Sequence, residues 1–535
     1  MKKTTIPYQD LSYFTELIKS YLNEDKVVKD LYHRFPNLEN FKEQIAEKQV
    51  SWAGLNDRRQ LLSNALLTQY QEIESKDATL KNIESLAQDD VFTITTGHQL
   101  NLFTGPLYFL YKIISTINLC KQLQTAYPEN RFVPVYWMAT EDHDFEEIQY
   151  FNFKGRKIVF EANSTAAVGS LSTDGLDKVF AVLDELWPDS DYGKELKGLF
   201  KNAYLGHKNL ADATRYLAHE LFKNDGLVIV DGDDASLKKL MAPYFEDELL
   251  KNTSFKQVTE TLKTWPTDFK VQVNPREVNL FYLTDAYRKR IIPVENGFAI
   301  DDTDIVFTTT ALLEELEVHP ERFSPNVIMR PLYQEVILPN LCYIGGGGEL
   351  AYWLELKAYF EEVGVVFPML LLRNSALLVT HKQDEKLAKM ECSMQDLFLQ
   401  EHELASVVTN AISEIDIDFT SLQNQLKQQF KSLYDIATKT DKSFIGAVAA
   451  QEKKQLNGLE NLEKRLLKAQ KHKHSDHVER TVQLQQELFP GGTLQERKEN
   501  FASFYLDHGQ ELLQILKEQL DPLDPSFTVI TLPVL

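Results

Sequence analysis

Four acid–base side chains stand in a row in "WMATEDHDFEE", where Glu141, Asp142, His143 and Asp144 follow directly on an apolar run. Taking such groups out of water is costly unless something compensates them. A cationic ligand group such as an ammonium would do so, or a divalent metal. An imidazole between carboxylates can act as an acid or a base, with its pKa raised by them. Glu141, Asp142 and His143 are therefore candidate catalytic residues and Asp144 a candidate ligand contact. The bland alternative, a solvated acidic loop with a helix N-cap, suits Asp144 and Glu146 best.

Two further stretches have the composition of ligand loops. "TTGHQLNLFTGP" (95–106) supplies Gly97, His98, Gln99, Thr104 and Gly105 just before Pro106 opens an apolar run. Glycine lets backbone approach a ligand closely, and a helix start offers free N–H groups and a positive dipole end. A phosphate or carboxylate fits such a place, although neither GxGxxG nor a Walker GK[ST] is present. A capped turn with an inward-facing histidine is the plain alternative. "YIGGGGELAYW" (343–353) places Gly345, Gly346, Gly347 and Gly348 in succession, followed by Glu349 and Tyr352. Backbone without Cβ atoms can lie against a flat or phosphorylated ligand. Glu349 at a helix start would oppose a phosphate and favour a hydroxyl or an ammonium; a flexible hinge is the alternative. In "VIVDGDD", Asp231 can reach a cleft, whereas Asp233 and Asp234 suit helix capping. The chain lacks GxSxG, HExxH and any clear metal-ligand spacing. His98, His143, Asp142 and Asp144 could meet at a metal only through tertiary contact, so no metal site is assigned.

Each of these loops follows a short strand-like run and precedes a helical one. "VFTITT" (91–96), "PLYFLYKIISTINLCKQLQ" (106–124) and "RFVPVYWMA" (131–139) read as strand, helix and strand, a βαβ unit with a right-handed crossover. "GLVIVDGDD" with "ASLKKLMAPYFEDEL", and "LCYIGGGGELAYWLELKAYFEEVGVVFPMLLL", repeat the theme. The sum is an α/β fold: an open, mainly parallel Rossmann-like sheet with helices on both faces. In such sheets ligands bind beyond the carboxyl ends of the strands, so the loops should share one rim.

Residues 1–90 read as a helical segment packing on the core, and 91–380 as the core itself. Inserted segments at about 151–225 and 255–325 contain the alternating hairpins "FNFKGRKIVFEAN" and "VQVNPREVNLFYLTDAYRKRIIPVENGFAI". From 381 to 488 the chain is rich in Lys, Glu, Gln and Leu. Leu422, Leu426 and Leu433, and Leu459, Leu462, Leu466 and Ala469, form stripes that predict an antiparallel helical coiled coil. "LFPGGT" ends it, and 489–535 returns to the core as helix and a closing strand, "SFTVITLPVL".

The 535 residues exceed one ordinary core. Against 79 acidic residues there are 57 basic ones, a net charge of -22 that argues against nucleic-acid binding and weakly against anionic lipid. "KRLLKAQKHKH" (464–474) reads as a solvated helix face. Cys120, Cys342 and Cys392 are dispersed and odd in number, so a reducing cytoplasm is expected. The N-terminus lacks the apolar region of a signal peptide, and "VGVVFPMLLL" is about half the ~20 residues of a membrane span.

"TTGHQLNLFTGPLYFLYKI", "PVYWMATEDHDFEEI", "SPNVIMRPLYQEVILPNLCYIGGGGELAYWLELK" and "LFPGGTLQERKENF" resemble the signature segments of the BshC family, cysteine ligases of bacillithiol biosynthesis. The likeness runs in order from about residue 90 to residue 505. It implies a Rossmann-like core related to nucleotidyltransferases, with connecting segments inserted in it. It also implies a C-terminal coiled coil that pairs two subunits into a homodimer. The implied substrates are cysteine and glucosaminyl-malate, the carboxylate of the first joining the amine of the second.

Such a carboxylate must be activated, and ATP is the usual agent, through an acyl-adenylate or acyl-phosphate, with Mg possible beside it and ADP a possible nucleotide ligand. The two glycine loops would then cradle phosphates and ribose, and the acidic loop an ammonium. His143 or Asp142 would take the proton of the attacking amine. "GHQLNLFTGP" is only a distant analogue of HxGH, and "RNSALLVTHKQ" offers Lys382 without a KMSKS motif, so His98 is read as a ligand donor. No ligand set for a zinc-held thiol stands out. Two other readings are a related α/β nucleotide-binding ligase or transferase for another amine and carboxylate, and a nucleotide-binding coiled-coil scaffold.

Overall fold

The computed structural model describes residues 2–74, 76–162 and 166–534. Five strands form its central sheet: β1 (Val91–His98), β2 (Arg131–Met138), β3 (Val228–Asp231), β4 (Asn340–Gly345) and β5 (Met369–Leu372). Their order is β5-β4-β1-β2-β3, and every neighbouring pair is parallel. The winding therefore reverses between β1 and β4, which opens a crevice at their carboxyl ends.

These strands lie buried between layers, so both faces must be satisfied. On one face Phe92, Ile94, Leu341 and Ile344 pack against Leu119, Cys120 and Leu123 of helix α1 (Tyr108–Ala126) and against Phe41 and Ile45. Thr93 and Thr95 instead donate to Asn340 Oδ1. Asn340 Nδ2 donates to Glu335, whose carboxylate meets Lys48 at 3.2 Å. This fully bonded polar network fixes how β4 lies beside β1.

The alternating segments form the expected hairpins. Tyr150–Phe153 pairs with Arg156–Val159 across Lys154 and Gly155, both at positive φ as a tight hairpin turn requires. A second, antiparallel sheet runs in the order Val306–Phe307, Gly297–Ile300, Arg288–Val294, Leu280–Leu283, Phe323–Pro325.

By its internal contacts the chain forms two compact units. One comprises Lys3–Leu377 with Gln495–Ile530; the other is built mainly of Leu378–Leu494. In the second unit, helices Thr420–Ala437 and Lys442–Lys473 run antiparallel, as the pairs Gln423–Glu463 and Tyr434–Glu452 show. The seam between them is Leu426, Phe430, Tyr434 and Ala437 against Ile445 and Val448. Leu422, Leu433 and Leu462 point outward, because Phe430 and Tyr434 take the inward positions. "SFTVITLPVL" forms the strand Ser526–Thr531. Among the described residues no helix is long and apolar enough to cross a membrane.

Candidate functional site

A crevice of about 750 Å³ opens at the carboxyl ends of β1, β2 and β4, within the larger unit. Gly97, His98 and Gln99 reach it from β1, and Glu141, Asp142 and His143 from the loop after β2. Gly346, Gly347, Gly348, Glu349 and Tyr352 reach it from β4 and helix α2 (Gly347–Leu354). Three separate stretches of chain thus share one hollow. Leu280, Phe281, Arg288 and Arg290 of the antiparallel sheet form a facing wall.

Five candidate residues do not line the hollow. Thr104 and Gly105 belong to a turn in which Phe103, Thr104 and Gly105 all have positive φ. Non-glycine residues held there cost about 1–3 kcal/mol each. The turn is clamped by Asn500, whose side-chain amide donates to the carbonyls of Phe103 and Gly105 at 2.7 and 2.6 Å. Phe103 is also wedged among Phe151, Trp187, Phe200 and Phe501. The turn fixes where α1 begins; it is not part of the crevice lining. Asp144 is exposed at the start of the short helix Phe145–Ile148. Asp231 accepts a bond from Thr140 Oγ1 and lies 3.8 Å from Arg215, so it anchors the loop after β2 from behind. Gly345 is a packing glycine: a Cβ there would stand 3.0 Å from Glu349, Leu350 and Tyr343. At Gly348 the same atom would meet only open space.

The crevice is not the acid-lined hollow that the sequence suggests. Its lining holds seven cations, Lys112, Arg276, Arg288, Arg290, Arg330, Arg373 and Arg497, against the carboxylates of Glu141, Asp142 and Glu349. All three carboxylates already have protein partners. Glu141 lies 2.7 Å from buried Lys238, and burial raises its pKa against the pull of that ammonium. Asp142 accepts from Gln99 Nε2 at 2.9 Å and from the His143 amide at 2.8 Å. Glu349 meets Lys112 at 2.5 Å and accepts from the Tyr343 hydroxyl and the Gly346 amide. Burial pushes the Glu349 pKa up, but Lys112 and these donors outweigh it and hold the carboxyl below its ordinary range.

On the floor, instead, are three buried donors that have no partner among the described residues. The Gln99 amide donates to His98 Nδ1 at 2.9 Å, so the ring proton is on Nε2, which is buried without a partner. Burial, with help from Lys112 and Arg373, pushes the His98 pKa well below the histidine range, so the ring is neutral. Arg330 lies over Trp137 and Tyr343 with its Nη2 buried and unpartnered. Arg373 donates to Glu496 at 2.7 Å and to the Asn374 carbonyl, leaving Nε unpartnered beside Gly346.

His143 is more exposed, and Arg288 Nη1 lies 3.1 Å from its Nδ1. A guanidinium cannot accept, so Nδ1 is the acceptor and the neutral ring carries its proton on Nε2.

The arginines of the crevice lie outside the residues that the sequence patterns single out. Arg288 and Arg290 of the inserted sheet flank Lys289 and look like a solvated strand face. Arg373 follows "MLLL" directly, so the strand-end rule that singled out the glycine loops applied to it as well.

Residues 1–374 match the family described as Bacillithiol biosynthesis BshC, N-terminal Rossmann-like domain, and residues 376–532 match its C-terminal coiled-coil domain. A relative in Flavobacterium johnsoniae is 55% identical, covering 99% of this chain and 100% of its own. Relatives in Christiangramia forsetii and Flavobacterium psychrophilum are 54% and 53% identical, each covering 99% of both chains. All three bear the name "Putative cysteine ligase BshC".

Proposed function

Because the chain belongs to the BshC family, the cysteine ligases of bacillithiol biosynthesis, we propose that its crevice joins the carboxylate of cysteine to the amine of glucosaminyl-malate. The observation that supports this best is the group of unpartnered donors, His98 Nε2, Arg330 Nη2 and Arg373 Nε, at the point where the sheet reverses. Donors buried without partners are costly, and an anionic ligand satisfies all of them at once.

An ionised carboxylate resists attack by an amine because it is anionic and has no good leaving group. ATP bound here would supply a phosphorus leaving group on that carboxylate. The residues suit its phosphates: the glycines 346–348 and the free N–H groups of the first turn of α2. Among the described residues no three His, Cys, Asp or Glu side chains gather to hold a metal. A Mg ion accompanying a nucleotide would therefore be held by phosphate oxygens and water.

The floor donors face the carbonyl oxygen on which charge develops as the amine adds, and each such donor contributes roughly 10²–10³ in rate. The amine arrives as an ammonium and attacks only after losing a proton. Asp142, fixed by Gln99 and by the His143 amide, is the carboxylate that takes it. His143, with its proton on Nε2, serves as a hydrogen-bond donor rather than the base. Arg276, Arg290 and Arg497 suit the two carboxylates of the malate group.

The outward leucines of the coiled coil support pairing with a second copy, and three free cysteines suit a reducing cytoplasm. The test is incubation of the purified chain with cysteine, glucosaminyl-malate and ATP, followed by mass spectrometry. The amide should form with ATP and not without it; no amide with all three present refutes the reading.

A further inference from the structure

Residues 270–276 carry no helix or strand, yet Gln272, Asn274 and Arg276 of this strap line the crevice. Backbone without regular structure needs partners for its N–H groups. Here Glu355 supplies them: its carboxylate accepts from the amides of Gln272 at 2.6 Å and Val273 at 3.3 Å. Glu355 itself is fully buried, directly after α2. Among the described residues no cation pairs with it; Lys357, two residues on, is turned to Glu361. A buried carboxylate without a counterion is expensive to keep, and the two amide bonds are what this one obtains in return.

One short helix therefore serves the crevice at both ends. Its first turn brings Gly348 and Glu349 to the floor, and the residue after its last turn holds the strap. Arg276 rides on that strap, and among the described residues no ion pair or hydrogen bond engages its guanidinium.

We propose that Glu355 is a positioning residue: by tying down the amides of 272 and 273 it places Arg276 against the carboxylates of the second substrate. This rests on the reading above for the identity of that substrate, but not for the tether. Both oxygens are strong acceptors only in the carboxylate form; protonation makes one a hydroxyl, a donor and a weaker acceptor. Burial, opposed by the two amide bonds, pushes the Glu355 pKa up to about 7. The tether is thus complete above neutrality and weakened as pH falls through it.

Two experiments on the full chain test this. In hydrogen exchange, the amides of Gln272 and Val273 should be protected in the wild type and lose protection in Glu355→Gln, with the sheet amides unchanged. Equal protection in the two proteins overturns the tether, whatever reaction the chain performs. In steady-state assays, Glu355→Gln should raise KM for glucosaminyl-malate about tenfold, the scale of one charged hydrogen bond, with kcat within about twofold. The wild-type KM should rise as pH falls from 8 to 6, and that of Glu355→Gln should not. Arg276→Ala should raise KM equally, and the double variant no further. Additive effects, an unchanged pH profile, or a loss of kcat in place of the KM change would overturn the placement of Arg276. Failure of the wild type to form amide while the exchange difference persists would instead strike at the function.

Discussion

Removing the carboxylate of Glu496 exposes how the floor of the crevice is paid for. Its side chain is 1% exposed and that of its partner Arg373 4% exposed. Glu496 accepts from Arg373 Nη2 at 2.7 Å, from Ser375 Oγ at 3.1 Å and from the Ala376 amide at 2.9 Å. All three bonds end on a carboxylate, so each exceeds the ~1 kcal/mol of a neutral hydrogen bond. Glu496→Ala should therefore cost about 3–5 kcal/mol, the range for stranding one partner of a buried pair. All five tryptophans, Trp52, Trp137, Trp187, Trp265 and Trp353, lie in the larger unit. Urea denaturation followed by tryptophan fluorescence thus reads that unit alone. Glu496→Gln, which keeps an acceptor but not the charge, should lose less. The apolar pair Arg373→Met with Glu496→Leu should regain most of the stability while abolishing amide formation. A loss below about 1 kcal/mol for Glu496→Ala, or a double variant no more stable than the single, would refute the view that stranded charge sets the cost.

Replacing His98 separates a donor from a base. His98→Gln, which keeps an N–H donor, should retain most amide formation, and His98→Phe should lose roughly 10²-fold in kcat/KM. Because the pKa of His98 is depressed, the ring stays neutral as pH falls through the ordinary histidine range, so the rate–pH profile should carry no limb from it. Asp142→Asn should lower kcat about 10²–10⁴-fold with an unchanged melting temperature, and near-normal product would count against its role as base. Leu433→Glu with Leu462→Glu should convert a dimer to a monomer in light scattering at micromolar concentration; a dimer that persists would place the pairing surface elsewhere.

The parallel sheet was legible because buried strands are apolar runs and their ends are abrupt. Gly97, Asp142 and Gly346 could be placed at a common rim by that rule alone. The electrostatic character of the rim could not. Whether Glu141 faces a ligand or Lys238 depends on a lysine 97 positions away in sequence, and no local pattern encodes that pair. The turn at 103–105 departs from its sequence pattern for a related reason. "FTG" suits a ligand loop, but the positive φ of Phe103 and Thr104 is imposed by Asn500 and by aromatic packing from distant segments. In the coiled coil, Leu426 of the expected stripe lies in the seam, but Phe430 and Tyr434 fill the positions next to it while Leu422 and Leu433 point outward.

The clamp on that turn orders events during synthesis. A ribosome making this chain has already released residues 91–377 before Glu496 and Asn500 leave the exit tunnel. Until then the guanidinium of Arg373 lacks its carboxylate, and the bend ahead of α1 lacks both amide bonds to its carbonyls. A nascent chain stopped at residue 495 would hold the strands and loops of the crevice but not its completed floor, so competence arrives only once Glu496 and Asn500 have emerged.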